Sequence, residues 1–179
     1  MLNKVVFLDR DGVINKVALP HDYIKTWNEF ELFDGVATAI KKLNDAQYIV
    51  CVVTNQRGVA QGIMSMEDVN EIHKQMQCKL ELSGAHLDAI FVCPHENGTC
   101  TCRKPQTGMF QQAEAIYEID KNSSYMIGDS ESDILAGKKF GIKTIAITIK
   151  EFAADYKCNS LFEAVNYILQ ELSLIHISE

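Results

Sequence analysis

The sequence has no long hydrophobic run, no excess of positive charge and no internal repeat. Crossing a bilayer takes about 20 consecutive apolar residues, and the longest apolar runs here have the length of buried strands. The apolar part of the N-terminal segment is too short for a secretory signal peptide, and charged residues follow it directly. These absences predict a cytoplasmic protein without a membrane partner, and a length of 179 residues predicts a single domain over residues 1–179.

The charge balance restricts the class of partner. A net charge of −7 at pH 7 argues against the broad basic surface that nucleic-acid binding requires. It leaves an anionic small molecule possible, because a few local cations or a metal ion can reverse the electric field inside a cleft. No strong interface pattern is visible either, so we expect a monomer.

Three of the six cysteines lie within ten positions of one another, together with a histidine. The four candidate ligands are Cys93, His95, Cys100 and Cys102. In a cytosolic chain this pattern favours a metal over disulfides, and three cysteines with one histidine form a closed, tetrahedral zinc set. We therefore predict a structural Zn²⁺ that orders the loop in front of two cations, Arg103 and Lys104.

Short apolar segments alternate with segments of helical periodicity. Strands are predicted over residues 4–8, 48–53, 87–92, 125–127 and 143–147. Helices are predicted after a cap at Asp34, from Ser65 to Gly84, and over residues 108–117, 129–140 and 161–172. This alternation predicts an α/β fold, a Rossmann-like three-layer sandwich with a mainly parallel sheet. The chain has no room for a large cap domain.

Polar residues follow four of the predicted strands, at the edge of a parallel sheet where ligands bind. They are Asp9 and Asp11, Thr54 and Asn55, Cys93 and His95, and Asp129. Asp9 and Asp11 are two residues apart in extended chain, so both carboxylates can face one ligand. With Asp129 they would form an oxygen site that suits Mg²⁺. One carboxylate could attack phosphorus, and the other could donate and accept a proton.

The same residues belong to four motifs that occur in a fixed order. The motifs are Phe7-Leu8-Asp9-Arg10-Asp11-Gly12, Thr54-Asn55-Gln56, Arg103-Lys104-Pro105, and Gly128-Asp129 with Asp133 downstream. In this order they resemble the signature motifs of the haloacid dehalogenase superfamily of phosphatases. The resemblance extends from the first predicted strand to the fifth, and all four motifs have a counterpart.

The resemblance implies a role for each matching residue. Asp9 would be the nucleophile and Asp11 the general acid and base. Thr54 would bind the phosphoryl group, and Lys104 would neutralise the charge on the phosphate oxygens. Asp129 would bind Mg²⁺ together with Asp9 and the backbone carbonyl of Asp11.

Further residues are expected around these groups. Asp133 would support the site from behind or begin its helix, outside the direct ligands. Asn55 and Gln56 are candidate substrate-binding residues. Arg57 and Arg103 add cations beside the cleft, where a second phosphate on the substrate would be a natural partner for either.

Two branches of the superfamily share these motifs and the cysteine-rich loop: the D-glycero-D-manno-heptose 1,7-bisphosphate phosphatases and the histidinol-phosphate phosphatases. Residues 22–24, 30–36 and 55–62 are similar to the heptose branch, which implies removal of the 7-phosphate on the way to lipopolysaccharide heptose. A short loop between His95 and Cys100, and Ser130 after Asp129, depart from many members and leave the sugar anomer open. Histidinol-phosphate phosphatase, DNA 3′-phosphatase and a non-enzymatic zinc-stabilised binding module stay open as alternatives.

Overall fold

The computed structural model describes residues 1–177, without the side chain of His176. The last two residues of the domain predicted over 1–179 lie outside the described residues. The strands are β1 Val5–Leu8, β2 Ile49–Asn55, β3 Ala89–Cys93, β4 Tyr125–Gly128, β5 Lys143–Ile147 and β6 Tyr156–Cys158. The helices are α1 Val36–Asp45, α2 Met66–Leu82, α3 Gly108–Ile116, α4 Glu131–Phe140 and α5 Leu161–Ile177, with short 3-10 helices at Trp27–Glu29 and Lys121–Ser123.

All six strands are parallel and lie in the order β3-β2-β1-β4-β5-β6. All four residues of β1 are buried. Successive side chains of a strand point to opposite faces of the sheet, so a strand buried at every position needs an apolar layer on both faces, as in the interior of the sheet. Val6 and Leu8 belong to the layer formed with α1, α2 and α5, whereas Val5 and Phe7 pack with α3 and α4. The predicted three-layer α/β fold is confirmed, and no cap domain interrupts residues 1–177.

Strand β1 pairs with β2 on one side and with β4 on the other. The first three strands are added towards one edge of the sheet and the last three towards the other, so the direction of the strand order reverses at β1. In open α/β sheets the crevice outside the strand ends at such a reversal is where ligands bind. The candidate residues at the carboxyl ends of β1, β2, β3 and β4 therefore lie around one crevice. Within residues 1–177, no helix combines the length and apolar character needed to span a bilayer.

The observed starts and ends of the elements can be compared with those predicted from the sequence. Helix α1 begins after Gly35, not with an Asp34 cap, because Gly35 takes a left-handed φ of 79° and offers no side-chain cap. Helix α2 has the predicted capping box, in which the N–H of Asp68 donates to Ser65 Oγ at 3.1 Å. Helix α5 continues to Ile177, and β6 was not predicted.

Candidate functional site

Asp9 follows β1 directly and is held in place from β4. Its backbone N–H donates to the carbonyl of Ile127 at 3.0 Å, which continues the parallel ladder past the end of β1. Gly12 then turns the chain with φ of 88°, and a Cβ at that position would lie 1.9 Å from Asp129 Oδ2. Only glycine therefore lets the β1 loop approach the carboxylate that follows β4.

Three carboxylates meet at this point: those of Asp9, Asp129 and Asp133 each place an oxygen within 4.8 Å of the others. Burial and the neighbouring carboxylates, Asp133 foremost, raise the pKa of Asp9 well above its usual value. Burial, again with Asp133, raises the pKa of Asp129 to about 6. Like charges this close cannot all ionise without a cation between them. Because the donors are carboxylate oxygens, the cluster fits a hard divalent ion such as Mg²⁺.

Lys104 supplies a fixed positive charge to the same cluster. Its Nζ lies 2.9 Å from Asp9 Oδ1 and 2.6 Å from Asp133 Oδ1, and it donates to the carbonyl of Val53 at 2.7 Å. The side chain is only 2% exposed, so these contacts are poorly screened by solvent. Lys104 therefore stays charged beside Asp9.

Asn55 explains how Lys104 reaches this position from a distant loop. Its Oδ1 accepts from the backbone N–H of Lys104 at 3.1 Å, and its Nδ2 donates to the Lys104 carbonyl at 3.2 Å. Both ends of the Asn55 amide are thus bonded to the backbone of the lysine. Asn55 thus positions Lys104, and its expected contact with substrate stays a prediction.

The two carboxylate oxygens of Asp133 have different partners. Its Oδ2 accepts from the backbone N–H of Ser130 at 3.1 Å, which closes the capping box of α4. Its Oδ1 pairs with Lys104. The preceding Gly128 makes room, because a Cβ there would lie 2.2 Å from the Asp133 Cβ. Asp133 thus helps to cap the start of α4, whose first residue is Glu131, and also belongs to the carboxylate cluster, where the sequence did not place it.

Asp11 lies in a separate set of contacts. Its carboxylate accepts from Arg10 Nη2 at 2.9 Å, from Asn15 Nδ2 at 2.9 Å and from Gln56 Nε2 at 3.0 Å. Burial on its own would raise the pKa of Asp11, but the Arg10 guanidinium and the Asn15 bond outweigh it and lower the pKa. Asp11 is therefore held as a carboxylate next to the cluster rather than within it.

Thr54 and Gln56 form the floor between these groups. The Gln56 amide donates from Nε2 to Thr54 Oγ1 at 2.9 Å as well as to Asp11. Both residues are buried, and Gln56 connects Thr54 to Asp11; its expected contact with substrate stays a prediction. The Thr54 hydroxyl is the acceptor in its bond to Gln56, so this bond does not use the hydroxyl hydrogen.

The two arginines beside the cleft, Arg57 and Arg103, differ in the hydrogen-bond and ion-pair partners of their side chains. Arg57 Nε lies 2.8 Å from Glu96 Oε1, so its charge is paired at the surface. Arg103 Nε contacts Asn97, whereas its Nη1 is buried and has no hydrogen-bond partner within residues 1–177. Arg103 and Lys104 line a cleft of about 400 Å³. Within the described residues, Arg103 therefore keeps one side-chain N–H group without a protein acceptor.

The predicted zinc ligands converge. Cys93 Sγ lies 3.6 Å from His95 Nδ1, 3.6 Å from Cys100 Sγ and 3.1 Å from Cys102 Sγ, and His95 Nδ1 lies 3.2 Å from Cys102 Sγ. Tetrahedral zinc with these ligands has edges of about 3.5 to 3.8 Å, so the cluster nearly matches a zinc cage. The cysteines are unpaired thiols. Arg103 donates its backbone N–H to Cys100 Sγ at 3.4 Å, which links the cage to the cleft.

Two residues at the site were not singled out from the sequence as functional. Arg10 is fully buried and pairs with Asp11, and His73 of α2 contacts Arg10 at 3.1 Å. A signal for His73 existed: Val69, His73, Met76 and Leu80 recur at helical spacing, which places a histidine on the buried face of α2.

Comparisons with known proteins agree with this geometry. A family model described as HAD-hydrolase-like matches residues 101–160. The D-glycero-beta-D-manno-heptose-1,7-bisphosphate 7-phosphatase of Haemophilus ducreyi is 39% identical over 94% of this chain and 100% of its own length. The enzyme of the same name from Pasteurella multocida is 35% identical over 96% of this chain and 94% of its own.

A solved structure shows a similar arrangement. The D,D-heptose 1,7-bisphosphate phosphatase from B. bronchiseptica, complexed with magnesium and phosphate, superposes with a TM-score of 0.85 at 30% identity. The superposition covers 94% of this chain and 99% of that one. A HAD-like phosphatase from Mesorhizobium loti gives a TM-score of 0.79 at 27% identity over 93% and 88% of the two chains.

Proposed function

Because this chain belongs to the family of the D-glycero-D-manno-heptose 1,7-bisphosphate 7-phosphatases, within the HAD-like hydrolases, we propose that it removes the 7-phosphate of such a heptose bisphosphate. The observation that carries the proposed chemistry is the buried Lys104 beside Asp9, in contact with a cluster of carboxylates at the carboxyl edge of the sheet. The proposed substrate follows from the relatives' names. The proposed binding partner of this chain is thus a small sugar phosphate, and neither nucleic acid nor a membrane takes part in the proposed reaction.

Asp9, Asp129 and the backbone carbonyl of Asp11 are the proposed Mg²⁺ ligands, with Asp133 behind them. When bound, Mg²⁺ would neutralise the charge on the phosphate oxygens and hold the phosphoryl group in line. The ion would also offset the burial and the carboxylate repulsion that together raise the pKa values of Asp9 and Asp129. The cysteine-rich loop is proposed to hold Zn²⁺ in a closed, structural site.

In the first step, a carboxylate oxygen of Asp9 attacks phosphorus and forms a bond to it, and the bond from phosphorus to the 7-oxygen breaks. The leaving oxygen takes a proton from Asp11. In the second step, a water molecule attacks the same phosphorus, Asp11 takes its proton, and the bond from phosphorus to Asp9 breaks. Lys104 stays protonated throughout and offsets the charge of the phosphoryl oxygens. The products are inorganic phosphate and a heptose 1-phosphate.

The protonation of Asp11 has to change during this cycle. In the free protein Arg10, Asn15 and Gln56 hold Asp11 as a carboxylate, which suits its second step as a base. Approach of a dianionic phosphate raises the pKa of a neighbouring carboxyl group. Asp11 would thus gain its proton when the substrate binds and deliver it to the leaving oxygen.

The proposal is tested by phosphate release with Mg²⁺ on three substrates: the β- and α-anomers of the heptose 1,7-bisphosphate, and histidinol phosphate. Both anomers are included because relatives named for each are 38 to 39% identical to this chain. We expect a preference for a bisphosphate of at least a hundredfold in kcat/KM, with one phosphate released per molecule. A preference for histidinol phosphate would reject the substrate but keep the mechanism, and no release from any substrate would reject both.

The unpaired Nη1 of Arg103 leads to a prediction about the second phosphate. Arg103→Met should raise KM for the heptose 1,7-bisphosphate by about tenfold or more, because a charge-assisted hydrogen bond contributes about 1.5–3 kcal/mol. For a heptose 7-phosphate, which lacks the second phosphate, KM should change by less than about threefold. Arg57→Met is the matched control, since Arg57 is paired with Glu96 at 2.8 Å. Equal losses on both substrates would contradict this role of Arg103.

Removal of zinc should act through the same loop. We expect a zinc-free protein to keep most of its helix and strand content but to bind substrate at least about tenfold more weakly, because the cage holds the loop that carries Arg103 and Lys104. Cys100→Ser should behave in the same way, whereas Cys78→Ser, at an exposed cysteine outside the cage, should not. Metal content and KM are measured on the same samples, and full activity in a protein shown to be zinc-free would refute the prediction.

A further inference from the structure

Arg10 carries a buried guanidinium whose two sides have different partners. One side faces Asp11: Nη2 lies 2.9 and 3.2 Å from the two carboxylate oxygens, and Nε lies 3.2 Å from one of them. The Arg10 side chain is fully buried. A buried guanidinium is stable only when its charge is paired and its donors are bonded, so the direction of this group is set by the acceptors around it.

His73 is the acceptor on the other side. Its Nε2 lies 3.1 Å from Arg10 Nη1, and the ring is buried on the inner face of α2. An arginine can only donate, so Nε2 must accept, which requires a neutral imidazole with its proton on Nδ1. Burial and the Arg10 charge lower the pKa of His73 to about 3, which agrees with a neutral ring. His73 therefore receives a hydrogen bond from Arg10 throughout the physiological pH range.

We propose that His73 is a positioning residue for the reaction: by accepting from Nη1 it fixes the rotation of the Arg10 guanidinium, so that the Nε–Nη2 side holds Asp11 where it meets the leaving oxygen. The inference rests on the proposed function, in which Asp11 is the acid and base. His73 touches neither Asp11 nor the cleft in the contacts described, and it acts only through Arg10.

The chain of contacts predicts a limited effect of losing His73. Without an acceptor, Arg10 Nη1 would become a buried, unpaired donor, and the guanidinium would turn to find another partner. Asp11 would keep its bonds to Asn15 and Gln56 but lose the bidentate contact that fixes its carboxylate. Proton transfer to the leaving oxygen would slow, whereas phosphoryl binding by Lys104 and Thr54 would not change.

The test compares His73→Leu, which cannot accept a hydrogen bond, with His73→Gln, whose amide oxygen can. Each is assayed on the heptose 1,7-bisphosphate and on p-nitrophenyl phosphate, whose leaving group needs little help from an acid. For His73→Leu we expect kcat on the sugar phosphate to fall by about tenfold with KM within twofold, and kcat on p-nitrophenyl phosphate to fall by less than about threefold. His73→Gln should recover most of the loss.

Thermal unfolding of each variant shows whether the fold is kept, and His73→Met replaces His73→Leu if the latter does not fold. Equal losses on both substrates, or no loss on either, would overturn the inference while the unmodified chain's activity still supports the proposed function. Failure of Gln to do better than Leu would also overturn it. An unmodified chain inactive on both substrates would overturn the function and the inference together.

Discussion

Replacing Asp9 with Asn should lower kcat by about four orders of magnitude or more, the scale seen when the nucleophile of a covalent mechanism is removed. An amide oxygen at this position cannot form the phosphoryl ester, and Lys104, 2.9 Å away, would then lie beside a neutral group. The unmodified protein, quenched with acid during turnover, should carry a phosphoryl group on Asp9, and the variant should carry none. Labelled phosphate and peptide mapping measure both.

The Asp9→Asn protein should remain folded, which separates loss of chemistry from loss of structure. Burial and neighbouring carboxylates raise the pKa of Asp9 in spite of Lys104, so its ionised form opposes folding at neutral pH when no metal ion is bound. In EDTA at pH 7 we therefore expect the variant to unfold at a temperature no lower than the unmodified chain. Normal turnover in Asp9→Asn would reject Asp9 as nucleophile, and Mg²⁺ binding without turnover in both proteins would favour the binding-module alternative.

The sheet and the residues at its edge could be predicted because they depend on local patterns. Continuous apolar runs mark strands buried on both faces, and the polar residues that follow them reach one edge in any parallel sheet. The convergence of Asp9, Thr54 and Asp129 around one crevice follows from this rule alone. Strand β6 was not predicted because Tyr156–Cys158 is only three residues long and partly exposed at the edge of the sheet, so it contains no continuous apolar run.

What could not be predicted is which polar groups pair with one another. Asn55 binds the backbone of Lys104 across 49 residues of sequence, and Arg10 meets His73 across 63. A side chain's partner over such distances in sequence depends on how α2 and the cysteine-rich loop pack, and no local period encodes it.

Replacing Lys104 with Met should have the second largest effect, on stability as well as on rate. Met fills a similar volume but leaves the half-buried carboxylate of Asp9 and the buried carboxylate of Asp133 without their shared cation. Breaking a buried ion pair in this way costs about 3–5 kcal/mol of unfolding free energy. Lys104 is also what lowers the pKa of Asp9 against burial, so its loss raises that pKa further. The stability deficit should therefore be larger at pH 8 than at pH 5 in denaturant titrations without metal.

A double variant separates the two roles of Lys104. Asp133→Asn removes one uncompensated charge and keeps an oxygen that can accept from the Ser130 N–H, so the α4 cap is preserved. Added to Lys104→Met, it should recover about half or more of the lost stability. It should recover no activity: kcat should be about a thousandfold below that of the unmodified chain in both the single and the double variant, because the Lys104 ammonium proposed to face the phosphoryl oxygens is missing from both. If activity returned with stability, the lysine would serve only to balance Asp133, and its proposed action on the phosphoryl group would be wrong.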